Sequence, residues 1–508
     1  MRYMSTRGGS PSVTASQALV AGIAPDGGLY VPQTIPQFAP GELKKLAGLP
    51  YTQRAEAVLR PFFDDFTTEE LRGCIEGAWG QGSRFDGEPA PLRTVGDTNV
   101  LELWHGPTAA FKDMALQWLP RAMVVARSHL GIDQKTLILV ATSGDTGKAA
   151  LEGFADVPGT GCAVFYPYGG VSEVQRLQMV TQRGGNVAVM AVRGNFDDAQ
   201  TGVKRLFADE GLRAVLAQEG WALSSANSIN WGRLAPQIVY YVSAWCDLTS
   251  SGQLPQGQAV DFVVPTGNFG NILAAWYARC MGVPIGRLIC ASNRNRVLTD
   301  FFRDGVYDAS RAFYKTISPS MDILISSNLE RMLYEAGGRD AGKVSTAMAA
   351  LRDHGRYAVD AQTRAVLDAV FLADCADDEQ TRARIRQVFD ATGYLLDPHT
   401  AVAWDVWARM GSPAHTVIVS TASPFKFTAD VLTALAGGNA SGDALEALTS
   451  PDQPNSGGLE DCDALAVRTG VTMPRPLAEV FTLPQRHDAV CDPSDMGPTL
   501  LRTLGLGK

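Results

Sequence analysis

An α/β fold built on two doubly wound, mainly parallel sheets is predicted by three observations. Apolar runs of strand length alternate with amphipathic helical segments. The runs are apolar throughout, as strands covered on both faces must be. Two of them end in glycine loops that lead straight into a helix. Residues 1–95 stand apart: short turns such as "APDGGLYVP" mix with amphipathic stretches such as "YTQRAEAVLRPFFDDF", which predicts a small N-terminal domain. The strand–helix rhythm follows in "TLILVAT" and "KAALEGFAD", "CAVFYP" and "SEVQRLQMVTQRG", "VAVMAVRG" and "NFDDAQTGVKRLFADEG", giving a first α/β domain over 96–235. It resumes in "AVDFVVP", "ILAAWYARCMG", "RLICASN" and, late, "TVIVSTA", giving a second over 236–440. Residues 296–390 are helical in pattern and rich in Arg and Asp, an expected insertion in the second domain. The Gly/Ser/Pro-rich stretches 249–258 and 437–458 read as loops or linker, and 441–508 as a linker with a C-terminal segment.

At 508 residues, 45% hydrophobic and 19% charged, the chain has the make-up of a globular protein with large cores. Its formal net charge is -9 and its Lys and Arg residues form no block, so neither nucleic acid nor an anionic membrane is an expected partner. The first residues lack a signal peptide's apolar core and no run reaches the ~18 apolar residues of a membrane span, so a cytoplasmic location is expected. Eight scattered cysteines without a C-x-x-C pair read as reduced thiols, and six histidines without H-x-x-x-H spacing give no metal site.

The stretch "HGPTAAFKDMALQWL", 105–119, carries a lysine in the first turn of an apolar helix. Phe111, Met114, Ala115, Trp118 and Leu119 form one buried row, with Lys112, Ala115, Leu116 and Leu119 beside it. With Thr108 as the expected N-cap, Lys112 falls near the positive end of the helix dipole, where an ammonium gains least. A lysine in an apolar surface ordinarily snorkels to water. One that is desolvated becomes a weaker base, able to attack a carbonyl and form a Schiff base.

Two loops suit anions. "TSGDTGKAA", 142–150, joins a strand to a helix and offers the hydroxyls of Thr142, Ser143 and Thr146. It shares a G-K with nucleotide phosphate loops, but Thr142 stands where their first glycine falls and Ala149 where Ser or Thr would hold magnesium, which argues against nucleotide hydrolysis. "PTGNFGN", 265–271, lacks the dinucleotide G-x-G-x-x-G; Gly267 and Gly270 allow close backbone approach, and Asn268 and Asn271 add amide donors suited to one phosphate monoester. Singly, each loop reads as a turn. An aldehyde-seeking lysine, a phosphate cradle and a second anion loop together match pyridoxal phosphate plus an anionic substrate.

"HGPTAAFKDMALQ", "ATSGDTG", "PTGNFGN" and "STASPFKF", in that order, with "DGGLYVP" near the start and "MPRPLAEVFTLPQRHDAV" near the end, resemble threonine synthase, a pyridoxal phosphate enzyme of fold type II (tryptophan synthase β-like), in its longer bacterial and fungal branch. The resemblance implies that Lys112 is the Schiff-base lysine and main proton shuttle. It implies that Gly267, Asn268, Phe269, Gly270 and Asn271 bind the cofactor phosphate, and that Thr421 offers its hydroxyl to the pyridine nitrogen. Asp145 occupies a slot where many fold type II enzymes carry Asn near the cofactor's phenolic oxygen; a carboxylate there repels a phenolate unless one of the two holds a proton or Asp145 points elsewhere. The implied substrate is O-phospho-L-homoserine, with Ser143, Thr146, Asn293 and Arg294 as contacts for its anionic groups and Lys148 a further candidate.

The implied reaction is loss of phosphate from Cγ followed by addition of water at Cβ, the last step of threonine biosynthesis, in a monomer or homodimer. A related lyase such as a serine/threonine dehydratase needs the same lysine and phosphate loop, but has less use for the second anion loop. A non-catalytic protein that binds a phosphorylated metabolite has no need of Lys112.

Overall fold

The computed structural model describes residues 1–255, 257–411, 415–437 and 457–506. Two largely parallel sheets carry the structure. The first has five strands in the order Ala489–Cys491, Val187–Val192, Thr160–Pro167, Lys135–Ala141, Trp221–Ser224, all parallel. The second has six, in the order Phe371–Cys375, Ile285–Ser292, Val260–Pro265, Thr416–Ser420, Thr98–Glu102, Leu92–Val95, parallel except for the last pair. Thr160–Pro167, Val187–Val192 and Thr416–Ser420 are buried along their whole length, the physical reason their sequences do not alternate.

Helices start where the sequence caps them. Thr67, Ser172, Asn195 and Asp377 each accept from a backbone N–H three residues on and are answered by a Gln, Glu or Asp side chain, forming reciprocal caps. In the N-terminal region Tyr3–Ser5 pairs with Tyr30–Pro32, and Tyr3 and Phe62 pack on Trp231 with ring centroids 5.6 and 5.5 Å apart. That region therefore shares a core with the long buried helix Trp231–Ser250.

Several expectations are corrected. The segment 96–235 does not lie on one sheet: Thr98–Glu102 pairs with Thr416–Ser420 in the second, and the Thr98 hydroxyl donates to the Thr416 carbonyl at 3.1 Å. Residues 296–390 are not simply helical. Val306–Asp308 and Arg356–Ala358 form an antiparallel pair, and Phe371–Cys375 is an edge strand of the second sheet. The stretch 249–258 is not all loop, because the helix before it runs to Ser250. Most of 437–458 lies outside the described residues, but beyond it Ala489–Cys491 completes an edge of the first sheet.

The apolar run 105–119 is not one helix. Asp113–Leu116 is a single turn, and Leu119–His129 is a separate helix with Pro120 in its first turn, whose missing N–H cannot extend the earlier ladder. No helix among the described residues is long and apolar enough to cross a membrane.

Candidate active site

Lys112 sits at the N-cap position of the short Asp113–Leu116 turn. Thr108 does not cap that turn as expected. Its N–H and hydroxyl instead donate to the Asp113 carboxylate at 2.8 and 2.7 Å, and burial pushes that carboxyl up to about 6. The lysine turn is laced to the end of strand Thr416–Ser420: Phe111 N–H donates to the Thr421 carbonyl at 2.8 Å, and Ser423 N–H to the Ala109 carbonyl at 3.1 Å. This lacing brings Thr421, buried at that strand end, beside Lys112.

The Lys112 side chain is 11% exposed, with Nζ 3.4 Å from Asp145 Oδ2 and 3.2 Å from Ser320 Oγ. Burial lowers the basicity of its amine; Asp145 works against this, and the positive charges of Lys426 and Arg233 reinforce it. The helix dipole is not needed to explain the effect.

Asp145 opens the helix Asp145–Phe154 after the glycine loop. Its Oδ1 accepts from Gln175 Nε2 at 2.9 Å and faces Lys426 Nζ at 2.7 Å. Burial favours the protonated acid, but the ammoniums of Lys426 and Lys112, with Gln175, hold the carboxyl far below the usual carboxylate range. The open question of its partner is thus answered by Lys426, which is fully buried and also donates to the Thr108 carbonyl at 2.8 Å. Gly144, at φ +140°, lets the Gln175 amide approach: a Cβ there would lie 2.5 Å from it.

In the other loop, Phe269 adopts the left-handed φ of +63° at the cap of helix Gly270–Cys280, a conformation strained for a bulky residue. Its buried ring is anchored by Phe302 and Phe371, with centroids 5.8 and 5.7 Å away. The Gly267 carbonyl accepts from Ser326 Oγ at 2.7 Å and the Asn268 carbonyl from Asn328 N–H at 3.0 Å. Asn271 Oδ1 accepts from the Tyr240 and Tyr241 hydroxyls at 2.6 and 2.7 Å, while its Nδ2 is buried without a partner. A buried orphan donor at the first turn of a helix is a demand for an acceptor. A Cβ on Gly267 would lie 2.7 Å from the Ser320 carbonyl oxygen, so the phosphate-type loop and Lys112 meet through one residue, Ser320.

The remaining candidates divide. Ser143 is exposed and Thr146 half-buried on the loop beside Asp145, while the Thr142 hydroxyl is used inside the loop, accepting from Gly144 and Gly147 N–H at 3.0 and 2.9 Å. Lys148 is paired with Glu152 at 2.9 Å and with Gln182, so its ammonium is already engaged. Asn293 is buried, donating to Thr316 Oγ1, Ser318 Oγ and Asp322 Oδ1 at 2.8, 3.0 and 2.8 Å; it clips the turn that carries Ser320. Arg294 is exposed and lies 3.9 Å over the Tyr314 ring.

Four site residues escape sequence reasoning: Ser320, Lys426, His399 and Arg233. Arg233 is buried, its guanidinium brought down to about 10 by burial alone, and its Nε has no partner. Among the described residues no carboxylate pairs with it, so it too calls for an anion. A weakly basic lysine next to a loop with an unsatisfied donor fits the aldehyde and phosphate of pyridoxal phosphate.

The comparisons with known proteins agree. Residues 2–79 match the family model "Threonine synthase N terminus", and residues 100–421 match "Pyridoxal-phosphate dependent enzyme". Threonine synthase of Pseudomonas aeruginosa is 41% identical over 431 residues, covering 84% of this chain and 89% of that protein. Human threonine synthase-like 1 is also 41% identical, over 432 residues that cover 83% of this chain and 58% of that protein, so the chain spans just over half its length. Among solved structures, the pyridoxal phosphate-bound threonine synthase of Brucella melitensis has a TM-score of 0.83 at 37% identity, covering 97% of both chains. The yeast threonine synthase has a TM-score of 0.85 at 30% identity, covering 99% of this chain and 97% of that one. A buried amine of lowered basicity held beside a phosphate-type loop, on this fold and with these relatives, places the chain in the threonine synthase family of pyridoxal phosphate enzymes.

Proposed function

We propose that this chain converts O-phospho-L-homoserine and water into L-threonine and phosphate. The observation that carries the reading is the pairing of Lys112 and Lys426 with the Asp145 carboxylate, while Arg233, whose charge also acts on Lys112, donates to the Ala226 carbonyl at 2.7 Å and keeps a buried Nε without a partner. A buried excess of positive charge suits a substrate that brings its own phosphate and carboxylate besides the cofactor phosphate.

In this reading Gly267 to Asn271 would hold the cofactor phosphate, with the orphan Asn271 Nδ2 as one donor, and Thr421 would offer its hydroxyl to the pyridine nitrogen. The bound cofactor supplies a conjugated ring that takes up negative charge from the substrate carbons. Lys112, its basicity lowered by burial, would give up the cofactor to the substrate amine and then take the proton from Cα. That proton would pass on to the cofactor's conjugated system, freeing the same amine to take a second one from Cβ as phosphate leaves from Cγ toward Arg233. Ser143 and Thr146, on the loop beside Asp145, bind the substrate carboxylate. Asp145, its charge met by Lys426, orients Lys112 rather than repelling the cofactor's oxygen. Cγ would then take up a proton to become the methyl group, water would add its hydroxyl at Cβ, and Lys112 would return a proton to Cα.

We place the reaction in the cytoplasm, with the protein a monomer or homodimer. The test is product analysis of the purified protein with O-phospho-L-homoserine. Phosphate and threonine in equal amounts are expected. Ammonia release from threonine as the main activity would overturn the assignment in favour of a dehydratase.

A further inference from the structure

Ser320 reaches Lys112 from a part of the chain that neither glycine loop announces. Its Oγ lies 3.2 Å from Lys112 Nζ, and its backbone N–H donates to His399 Nε2, also at 3.2 Å. An imidazole nitrogen that accepts carries no proton, so the proton of His399 is on Nδ1, which donates to Asp397 Oδ1 at 2.8 Å. Asp397 caps the helix Pro398–Arg409, accepting from His399 N–H at 2.9 Å and from the Thr400 hydroxyl. Both His399 and Asp397 are buried. A satisfied carboxylate–imidazole pair thus ends on a single N–H of a half-buried serine whose hydroxyl faces the reacting amine. The turn is fixed elsewhere by Asn293 and by the close approach of Gly267.

We propose that Ser320 is a further catalytic residue, whose hydroxyl holds the Lys112 amine in both of its protonation states, and that His399 and Asp397 are positioning residues that keep it there. The proposal rests on Lys112 being the reacting amine of the preceding section. During turnover that amine is released, gains protons and gives them up. As an ammonium it offers only donors; as a neutral amine it presents a lone pair. The ionised Asp145 can only accept, so it can take an N–H from either form but leaves the neutral amine's lone pair unmet. A hydroxyl rotates to accept from the one and donate to the other at an unchanged distance, without adding charge to the pocket. The neutral His399 tautomer matters because an imidazolium would set a second N–H against that of Ser320 and push the turn away. Asp397 selects the tautomer that does not.

The experiment compares the wild type with Ser320→Ala, His399→Leu, His399→Gln and the double variant Ser320→Ala/His399→Leu. Three quantities are measured: steady-state turnover of O-phospho-L-homoserine, exchange of the Cα proton of L-threonine in D2O by NMR, and the rate at which the apoprotein takes up pyridoxal phosphate, followed by visible absorbance. Ser320→Ala is expected to lower kcat and Cα exchange together by about tenfold or more, with KM held within about twofold. It is also expected to slow cofactor uptake without lowering its final extent. His399→Leu should act in the same direction. His399→Gln, whose amide oxygen can accept from Ser320 N–H, should recover most of the loss, and the double variant should be no worse than Ser320→Ala.

Cα exchange at the wild-type rate in Ser320→Ala, or effects of the two single variants that multiply, would overturn the proposal. The Ser320→Ala and His399→Gln arms decide it even if His399→Leu does not fold. A wild type that exchanges the Cα proton but makes no threonine overturns the substrate assignment alone, and the exchange arm still decides on Ser320. A wild type that takes up no cofactor overturns both.

Discussion

Asp145 is the group that most directly sets how basic Lys112 is, and replacing it gives a signed expectation. The carboxylate oxygen lies 3.4 Å from Lys112 Nζ. At an effective dielectric of about 20, a pair of charges at that distance attracts by about 5 kcal/mol. Lys426 and Gln175 share the same carboxylate, and water enters around a cut charge. About a third to a half of that attraction therefore survives as a change in ionisation, or about one to two pH units. The sign follows directly: Asp145 stabilises the ammonium, so Asp145→Asn lowers the Lys112 pKa and leaves more neutral amine at a given pH. The asparagine keeps an acceptor toward Lys426, which limits the disturbance of packing.

The assay is the pH dependence of the rate at which the apoprotein captures pyridoxal phosphate, since only the neutral amine attacks the aldehyde. The midpoint should fall by about one to two units in Asp145→Asn. It should rise in Lys426→Met, which removes a neighbouring cation and frees Asp145 for Lys112. A midpoint unmoved in Asp145→Asn, or moved upward, would refute the electrostatic reasoning.

Two further outcomes follow. Burial raises the Asp113 carboxyl to about 6, against about 3.9 in an unfolded chain. Its contribution to stability is therefore present below pH ~4 and lost as pH rises through ~6, a change of about 3 kcal/mol. Urea unfolding of Asp113→Asn from pH 4 to 7 should gain on the wild type by that order, whereas parallel curves would contradict the assignment. Gly267→Ala places a Cβ 2.7 Å from the Ser320 carbonyl oxygen; a cost of about 1–3 kcal/mol in thermal unfolding is expected, together with weaker cofactor retention. Wild-type retention would show that the close approach is unimportant.

Much of the site can be read from sequence because it is local. The lysine motif and the two glycine loops each sit where a strand ends or a helix begins, and both features leave marks within a few residues. Lys112, Gly267, Asn268, Gly270 and Asn271 are legible that way, whereas Phe269, Asp145 and Thr421 come through the family resemblance. Ser320 is 208 positions from Lys112 and reaches it by a turn that Asn293, Asn295 and Asp322 hold through side-chain hydrogen bonds. No periodicity encodes such a meeting. Lys426 lies inside the quoted "STASPFKF", yet only the fold shows that its ammonium meets Asp145.

The strand Thr98–Glu102 is placed with the first α/β domain by the boundary at 96 for a related reason. Its own residues favour a buried strand on either sheet, and the hydrogen bonds to Thr416–Ser420 decide which. Apolar spacing over 105–119 reads as one helix, but Pro120, just beyond it, lacks the N–H that would carry the ladder on from Leu116, and the chain breaks into a turn and a separate helix.

The central claim is that Lys112 is the amine that holds the cofactor. Loading the protein with pyridoxal phosphate, reducing with borohydride and mapping the modified lysine by peptide mass spectrometry tests it directly. The account predicts the adduct on Lys112, with Lys148 and the buried Lys426 unmodified. An adduct on Lys426, or none on Lys112, would contradict it.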